Sequence, residues 1–415
     1  MIENATMPDR KLRVLFVNPL GALGGSERSL LDLFASLRRA DAAVEPKLLS
    51  LAEGELVNEA RELGVAVETL ALPPDLATLG ESAGHSAGRA RTALAFARAA
   101  MATPAYLAAF RRAVHAWQPD LLHTNGMKAH WLAALATPNR RKIVHLRDFA
   151  SSRPLSRQLL PLLRRRTLVL TNSRAVEADA LASCPGLRTR VVYNGIDLQQ
   201  FRPGPRELEP LAALAGLSAP VDESLVVGLV ASYAWWKGHR TFLAAAARLV
   251  QQARRPLRFY VIGGPIYAAA ASQVSVAELR GLIDSHGLSG HVGLVPFQRD
   301  VGRVYRGLDI AVHASERAEP FGRTIVEAMA SERAVIVSRA GGAAELFEEG
   351  QSGLGFTPGD AEDLARRALE LVDNDSLRLR LATAAHREAV ARFDRNRLAG
   401  EVVAAYRALC ADGLR

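Results

Sequence analysis

The sequence predicts an α/β chain of two doubly wound parallel sheets, each the centre of its own domain, facing a cleft. Three observations lead there. Short runs rich in Val, Leu and Ile alternate with helical patterns from residue 13 onward, as strand–helix–strand units of a parallel sheet require. The stretch FRPGPRELEPLAALAGLSAPVDES, 201–224, is dense in Pro and Gly and halts the alternation, which then restarts; this reads as an interdomain linker. The length of 415 residues holds two or three ordinary domains.

In the first half, strands are expected at Arg13–Val17, Pro46–Leu51, Val65–Leu70, Leu121–His123, Lys142–Leu146, Leu168–Thr171 and Arg190–Tyr193. The first feeds the loop NPLGALGGSERS and an amphipathic helix from about Glu27 to Arg39. Gly24 and Gly25 therefore sit at the carboxyl end of a strand, where such sheets bind ligands. They do not make the G-x-G-x-x-G fingerprint, so no dinucleotide site is read. The second half gives strands at Leu225–Ala231, Leu257–Ile262, Val292–Leu294, Ile310–His313 and Ala334–Ser338. Helices are expected at Gly238–Gln252, Val274–Ser285, Ser376–Arg392 and Arg395–Cys410. The expected division is 1–203, a linker at 204–224, 225–392, and a final helix at 393–415 that packs back on the first domain.

Composition narrows the classes of function. Half the residues are hydrophobic, 49%, enough for ample cores, yet no apolar run reaches the ~18 residues of a membrane span. The opening MIENATMPDRK lacks the apolar segment of a signal peptide. Two cysteines, Cys184 and Cys410, argue against a disulfide framework or a zinc site, so a reducing cytoplasm is expected. A net charge of +9 calls for an anionic partner: phosphorylated substrate, anionic lipid or nucleic acid.

The stretch AEPFGRTIVEAMA, 318–330, concentrates the chemistry. Pro320 suits the first position of a helix, which makes Glu319 its cap. Phe321 and Gly322 then offer backbone N–H groups to ligand oxygens, and Gly322 has no side chain in the way. Glu327 falls about 12 Å from Glu319 at ~1.5 Å per residue. Glycosidase carboxyl pairs stand roughly 5 to 10 Å apart across one bond. The wider spacing suits two hydroxyl-bearing parts of an extended ligand, such as the sugar and ribose of a nucleotide sugar. An ordinary capped helix with one surface glutamate is the alternative.

Two further segments carry charge. SSRPLSRQLLPLLRRRT, 151–167, interleaves Leu155, Leu159, Leu160, Leu162 and Leu163 with Arg153, Arg157 and Arg164 to Arg166. This fits either a core-packing helix with a solvated arginine face or a peripheral contact with an anionic membrane. Nucleic acid is disfavoured, since no aromatic stacking platform accompanies the arginines. The only D-x-D, Asp373 to Asp375, lies between two helical patterns and reads as a cap, with no metal site.

These segments, in this order, resemble the retaining glycosyltransferases of the GT-B fold, family 4 or group 1. The residues that carry the likeness are GALGGSE (21–27), DLLHTNGMKAHWLAALA (120–136), VVYNGIDLQQFRP (191–203), WKG (236–238), HVGLVPFQRDVGRVYRGLDIAVHASERAEPFGRTIVEAMA from His291, and AGGAAELFEEGQSGLGF (340–356). They span essentially the whole chain. The resemblance implies two Rossmann-like domains, the first on the acceptor side and the second binding the donor.

The resemblance implies roles residue by residue. Glu319 would contact the transferred sugar, Glu327 the nucleoside ribose and Lys237 the donor diphosphate, whose charge needs a cation as the glycosidic bond breaks. Gly24 and Gly25 match the glycine loop near the phosphate. Phe321, Gly322 and Arg323 belong to the donor-binding helix start. The family's arginine five positions before the lysine is Ser232 here, leaving Arg323 or Arg240 to substitute. In HLRDF either His145 or Arg147 would meet the sugar, with His123 and Lys128 as further candidates, while Asn194 and Gly195 read as a structural turn.

The expected activity is transfer of a sugar from a nucleotide-sugar donor to a glycan or lipid-linked acceptor. It would proceed with retention, without metal or other cofactor, and serve cell-surface glycan or polysaccharide assembly at the cytoplasmic face of the inner membrane. A non-catalytic nucleotide-sugar-binding protein and a nucleotide-sugar epimerase of the same fold are the alternatives.

Overall fold

The computed structural model describes residues 10–77, 89–153, 156–221, 223–265 and 273–411. The chain divides into two compact units, 1–195 with 395–415, and 196–394.

Unit 1 is built on β1 (Leu12–Asn18), β2 (Val44–Ser50), β3 (Ala66–Thr69), β4 (Leu121–Asn125), β5 (Lys142–Leu146), β6 (Thr167–Thr171) and β7 (Thr189–Val191). Their order is β3-β2-β1-β4-β5-β6-β7, with every pairing among the described residues parallel. β1, β4, β5 and β6 are almost wholly buried, as strands covered by helices on both faces must be, and this is why they read as continuous apolar runs. The helix Gly25–Arg39 lays Leu30, Leu33, Phe34 and Leu37 on one face of the sheet. Tyr106, Phe110 and Val114, late in the helix Arg89–Trp117, are buried too, the last two packing with Leu15 and Val17. The final helix, Leu398–Ala411, adds Val402, Tyr406 and Leu409 to the core that holds Phe16 and Leu121.

Unit 2 is built on β8 (Leu225–Val230), β9 (Leu257–Gly263), β10 (Val292–Pro296), β11 (Ile310–His313), β12 (Ala334–Ser338) and β13 (Leu354–Phe356). The order is β10-β9-β8-β11-β12-β13, again parallel. Strand order reverses between β1 and β4 in unit 1 and between β8 and β11 in unit 2, and the carboxyl ends flanking such a reversal form the ligand crevice of a doubly wound sheet.

The stretch 204–224, expected as a linker, lies within unit 2. It carries the helix Glu209–Ala215, whose Leu211 and Ala212 are buried, and Arg206 bridges to Asp309. The chain instead crosses between units at 195/196 and at 394/395. Pro and Gly marked a break in strand patterning here, and apolar contacts overrode it. The arginine-rich segment is broken into a 3-10 turn (Ala150–Ser152), a single helical turn (Ser156–Leu159) and a second 3-10 turn (Leu160–Leu163). Leu159, Leu160 and Leu163 join the core with Val144 and Val169, Leu162 is half exposed, and Arg157 and Arg164 to Arg166 face solvent. Leu155 and residues 1–9 lie outside the described residues. Asn374 caps the helix Asp375–Phe393 by accepting from the Leu377 N–H at 2.9 Å, the role expected of that acidic cluster.

No helix among the described residues is long and apolar enough to cross a membrane.

Candidate active site

In unit 2, β8 runs into the turn Trp235–Lys237 and β11 into the segment 314–322, and these two loops are stitched together. The Glu316 N–H donates to the Trp236 carbonyl at 2.8 Å, and the Thr241 hydroxyl donates to Glu316 Oε1 at 2.7 Å. Gly238 closes the first loop at φ +74°, and a Cβ there would stand 1.8 Å from the Ala314 carbonyl oxygen. Only glycine fits both the backbone and the space.

That close approach sets Lys237 against Glu319. Lys237 Nζ donates to Glu319 Oε2 at 2.6 Å, with the side chains 18% and 17% exposed. The Ser315 hydroxyl donates to the same oxygen at 2.9 Å, and His313 Nε2 lies 3.5 Å away. Burial alone would raise the Glu319 carboxyl, but Lys237 and then His313 outweigh it and hold the group well below the usual carboxylate range. The result is an ionised carboxylate whose Oε2 is surrounded by donors, at the mouth of the switch-point crevice.

Glu319 does not cap the following helix. Its N–H donates sideways to the Ala340 carbonyl at 3.3 Å and its carbonyl accepts from Gly342 at 2.7 Å, a short parallel bridge that takes the backbone out of the helical path. The helix begins at Arg323, with Gly322 at the cap position in the left-handed region at φ +102°. The Phe321 ring is buried against Phe393 at 5.9 Å between centroids. Since 319–322 is not helical, the 12 Å reckoned along one helix axis does not apply.

Glu327 is buried in the helix Arg323–Ala330. Its Oε1 lies 3.3 Å from Arg323 Nε, one turn earlier, and its Oε2 accepts from the Tyr305 hydroxyl at 3.3 Å. Burial, reinforced by Glu327, pushes the Tyr305 phenol well above its usual value, so it stays a donor.

In unit 1 the carboxyl ends of β1, β4 and β5 carry a polar network. Asn125 donates to Asn18 Oδ1 at 2.6 Å and accepts from Arg147 Nε at 2.7 Å; Arg147 also donates to Asn194. Arg147 further places a nitrogen 3.3 Å from His145 Nδ1, and His123 Nε2 lies 3.3 Å from that same atom. The Tyr406 hydroxyl is 2.7 Å from His123 Nδ1. Burial, then the Arg147 charge, drives both imidazoles well below their ordinary pKa, so both are neutral. The surrounding donors assign the tautomers. Arg147 makes His145 Nδ1 an acceptor, so His123 donates to it through Nε2 and receives from Tyr406. His145 Nε2 then carries a hydrogen, and it is buried without a hydrogen-bond partner among the described residues.

Gly24 precedes the first helix, and its N–H donates to Glu27 Oε2 at 3.2 Å; a Cβ at Gly24 would stand 2.9 Å from that oxygen. Gly25 is the first residue of the helix. Lys128 is turned to the Ala77 carbonyl.

Comparison with known proteins decides the family. The model described as Glycosyltransferase Family 4 matches residues 54–200, and that described as Glycosyl transferases group 1 matches 218–388. The chain belongs to the family 4 glycosyltransferases, with the GT-B fold. The chain is similar to HepE of Anabaena, whose crystal structure holds UDP and glucose: 25% identity, a TM-score of 0.77, 96% of this chain and 100% of that one. It is 32% identical over 243 residues to a D-inositol 3-phosphate glycosyltransferase of Mycobacterium tuberculosis, a match over 57% of this chain and 46% of that protein. The chain thus spans about half the length of the curated relatives it matches. A sucrose-phosphate synthase of Thermosynechococcus elongatus, 20% identical with a TM-score of 0.74 over 97% of this chain and 100% of that one, shares the fold.

Within unit 2, Lys237 and Glu319 meet as a pair, while Arg323 and Glu327 form a second pair in the helix Arg323–Ala330. His313, Ser315, Tyr305 and, in unit 1, Asn18, Asn125 and Tyr406 were not singled out from sequence. His313 stands at a strand's carboxyl end, a findable signal; Tyr406, in an ordinary amphipathic tail helix, gave none.

Proposed function

We propose that this protein moves a glycosyl group from a nucleoside-diphosphate sugar to an acceptor hydroxyl with retention at the anomeric carbon, in the assembly of a cell-surface glycan or polysaccharide. The observation that carries the reading is the Lys237–Glu319 pair at the β8/β11 crevice. The UDP and glucose in the related HepE structure support it.

On this reading the bond from the anomeric carbon to the diphosphate breaks with its electron pair leaving on phosphate oxygen, and Lys237 stabilises that charge. The acceptor oxygen bonds to the anomeric carbon on the same face, and its proton passes to the departing phosphate oxygen. Glu319, held by Lys237, Ser315 and His313, is too well stabilised as a carboxylate to be a good nucleophile. It serves as an acceptor for sugar hydroxyls, and Glu327 serves the ribose. His145 Nε2–H is the unit 1 donor to a sugar hydroxyl. In unit 2 the backbone at Phe321 and Gly322 completes the donor-binding residues, and in unit 1 the glycine turn at Gly24 and Gly25 is the phosphate contact that the family resemblance implies. Lys237 supplies the positive charge, so the reaction proceeds without a divalent ion.

The acceptor we propose is a lipid-linked glycan at the cytoplasmic face of the membrane, approached through the solvent-facing Arg157 and Arg164 to Arg166. Since Leu159, Leu160 and Leu163 are buried, that contact is electrostatic. NMR of the product's anomeric configuration tests retention; an inverted product would refute it. Flotation with anionic and neutral liposomes tests the surface contact; equal absence from both would remove it.

A further inference from the structure

The loops that carry Lys237 and Glu319 carry a second pair beside them. Trp235 precedes Lys237 by two residues, and Arg317 precedes Glu319 by two. The Arg317 guanidinium lies 4.1 Å from the Trp235 ring centroid. Trp235 is 41% exposed, a large aromatic side chain in water, and Trp236 packs on it edge to face at 5.7 Å. Arg317 is also exposed. Among the described residues no carboxylate stands within ion-pair distance of it, and its polar contact is the ring face alone.

A charge count shows why this matters. Lys237 is matched by Glu319 and Arg323 by Glu327. These two pairs therefore sum to no net charge, while a nucleoside diphosphate brings at least two negative charges. Arg240 is exposed on the helix His239–Gln252. Its charge is felt by Glu278, a carboxylate lowered first by the Ser275 N–H and hydroxyl, on the helix Val276–Ser285 that joins β9 to β10. Arg317 is the cation of these two loops that no carboxylate holds in an ion pair among the described residues; its neighbour Glu316 is turned instead to the Thr241 hydroxyl.

We propose that Arg317 is the second cation for the donor diphosphate, stored on Trp235 in the free protein and transferred to phosphate oxygen when donor binds. This rests on the donor-site reading above. A cation on an exposed ring is held weakly, by a factor of about five at most, whereas guanidinium to phosphate is a charge-assisted, bidentate contact. The exchange is downhill. Trp235 keeps the long side chain extended over the loop, so less rotamer freedom is lost on binding than for a free arginine. Its ring is uncovered as the arginine leaves, which gives the step an optical signature.

The test is calorimetric titration of UDP, GDP and ADP, and of the matching monophosphates, into wild type, Arg317→Gln and Arg317→Lys, with tryptophan fluorescence recorded in parallel on wild type and Trp235→Phe. Both Arg317 and Trp235 are exposed, so the variants fold. For the base that wild type binds, Arg317→Gln is expected to weaken the diphosphate by roughly 10- to 100-fold and the monophosphate less, with Arg317→Lys between. The fluorescence change on binding is expected to vanish in Trp235→Phe. Diphosphate affinity within twofold of wild type in Arg317→Gln overturns this inference alone. A wild type that binds none of the nucleotides overturns the donor-site reading and this inference with it.

Discussion

Lys237 Nζ and Glu319 Oε2 stand 2.6 Å apart although 82 residues separate them in the chain. Adjacent parallel strands bring their loops together, and the backbone contact between Gly238 and the Ala314 carbonyl fixes the distance. The pair is a consequence of topology plus one glycine.

That glycine is the first place to press. Gly238→Ala is expected to destabilise the fold by about 2–4 kcal/mol, from the left-handed backbone and the clash together. It also displaces Lys237. Urea denaturation would show a lowered midpoint with an unchanged slope; an unchanged midpoint would mean the approach is not required.

The depressed Glu319 carboxyl gives a pH signature. Its folded pKa lies below the ordinary value of 4.5, so its contribution to stability is full above that value and is lost as pH falls through the folded one. Glu319→Gln removes this. The melting-temperature advantage of wild type should be constant down to about pH 5 and shrink toward about pH 3. Parallel curves across the range would contradict the ion-pair account.

Glu327 holds Arg323 and Tyr305 in a buried setting, both side chains of the ion pair being no more than 13% exposed. Glu327→Ala removes a buried carboxylate that pairs with the Arg323 guanidinium and is expected to cost roughly 3 kcal/mol. Glu327→Gln keeps the hydrogen bond from Tyr305 and should cost less. If the alanine variant melts as wild type, the pair is not structural, and any loss of donor binding is direct.

Tyr406→Phe removes the hydroxyl that orients His123 and, through it, His145. A loss of about 1–2 kcal/mol in stability is expected. Because His145 is proposed to meet the sugar, kcat should fall more than donor affinity. His145→Ala should show the same split more strongly. Equal losses in kcat and donor binding would instead mark the whole relay as structural.

Chelation supplies a further discriminant. Turnover in excess EDTA should match turnover without it, because in the proposed mechanism Lys237 carries the charge otherwise supplied by metal. Loss of activity that a divalent ion restores would overturn the metal-free proposal.

The sheets were legible because buried parallel strands are apolar throughout. Lys142–Leu146, Ile310–His313 and Ala334–Ser338 are read from sequence with their observed bounds. β13, three residues with a glycine at its centre, carries too little pattern to read. The linker reading failed at 204–224 because Pro and Gly density reports local backbone preference, whereas Leu211 and Ala212 are placed by packing. Site residues split the same way. Lys237, Glu319 and Glu327 stand in recognisable local motifs. The donors that define Glu319 come from His313 and Ser315, and the tautomer of His145 comes from Arg147 and from Tyr406, 261 residues further along the chain. Such partners are set by strand register, which no local motif encodes. The Glu319 cap was misread because its hydrogen bonds to 340–342 compete with the helix.

The most direct test of the central claim is a thermal-shift panel of nucleoside diphosphates and their sugars on wild type and Lys237→Ala. A ligand that binds only the native state raises Tm by mass action. The account predicts a clear rise for wild type with the nucleotides of one base and its loss in Lys237→Ala. No rise with any nucleotide, or an equal rise in the variant, would contradict it.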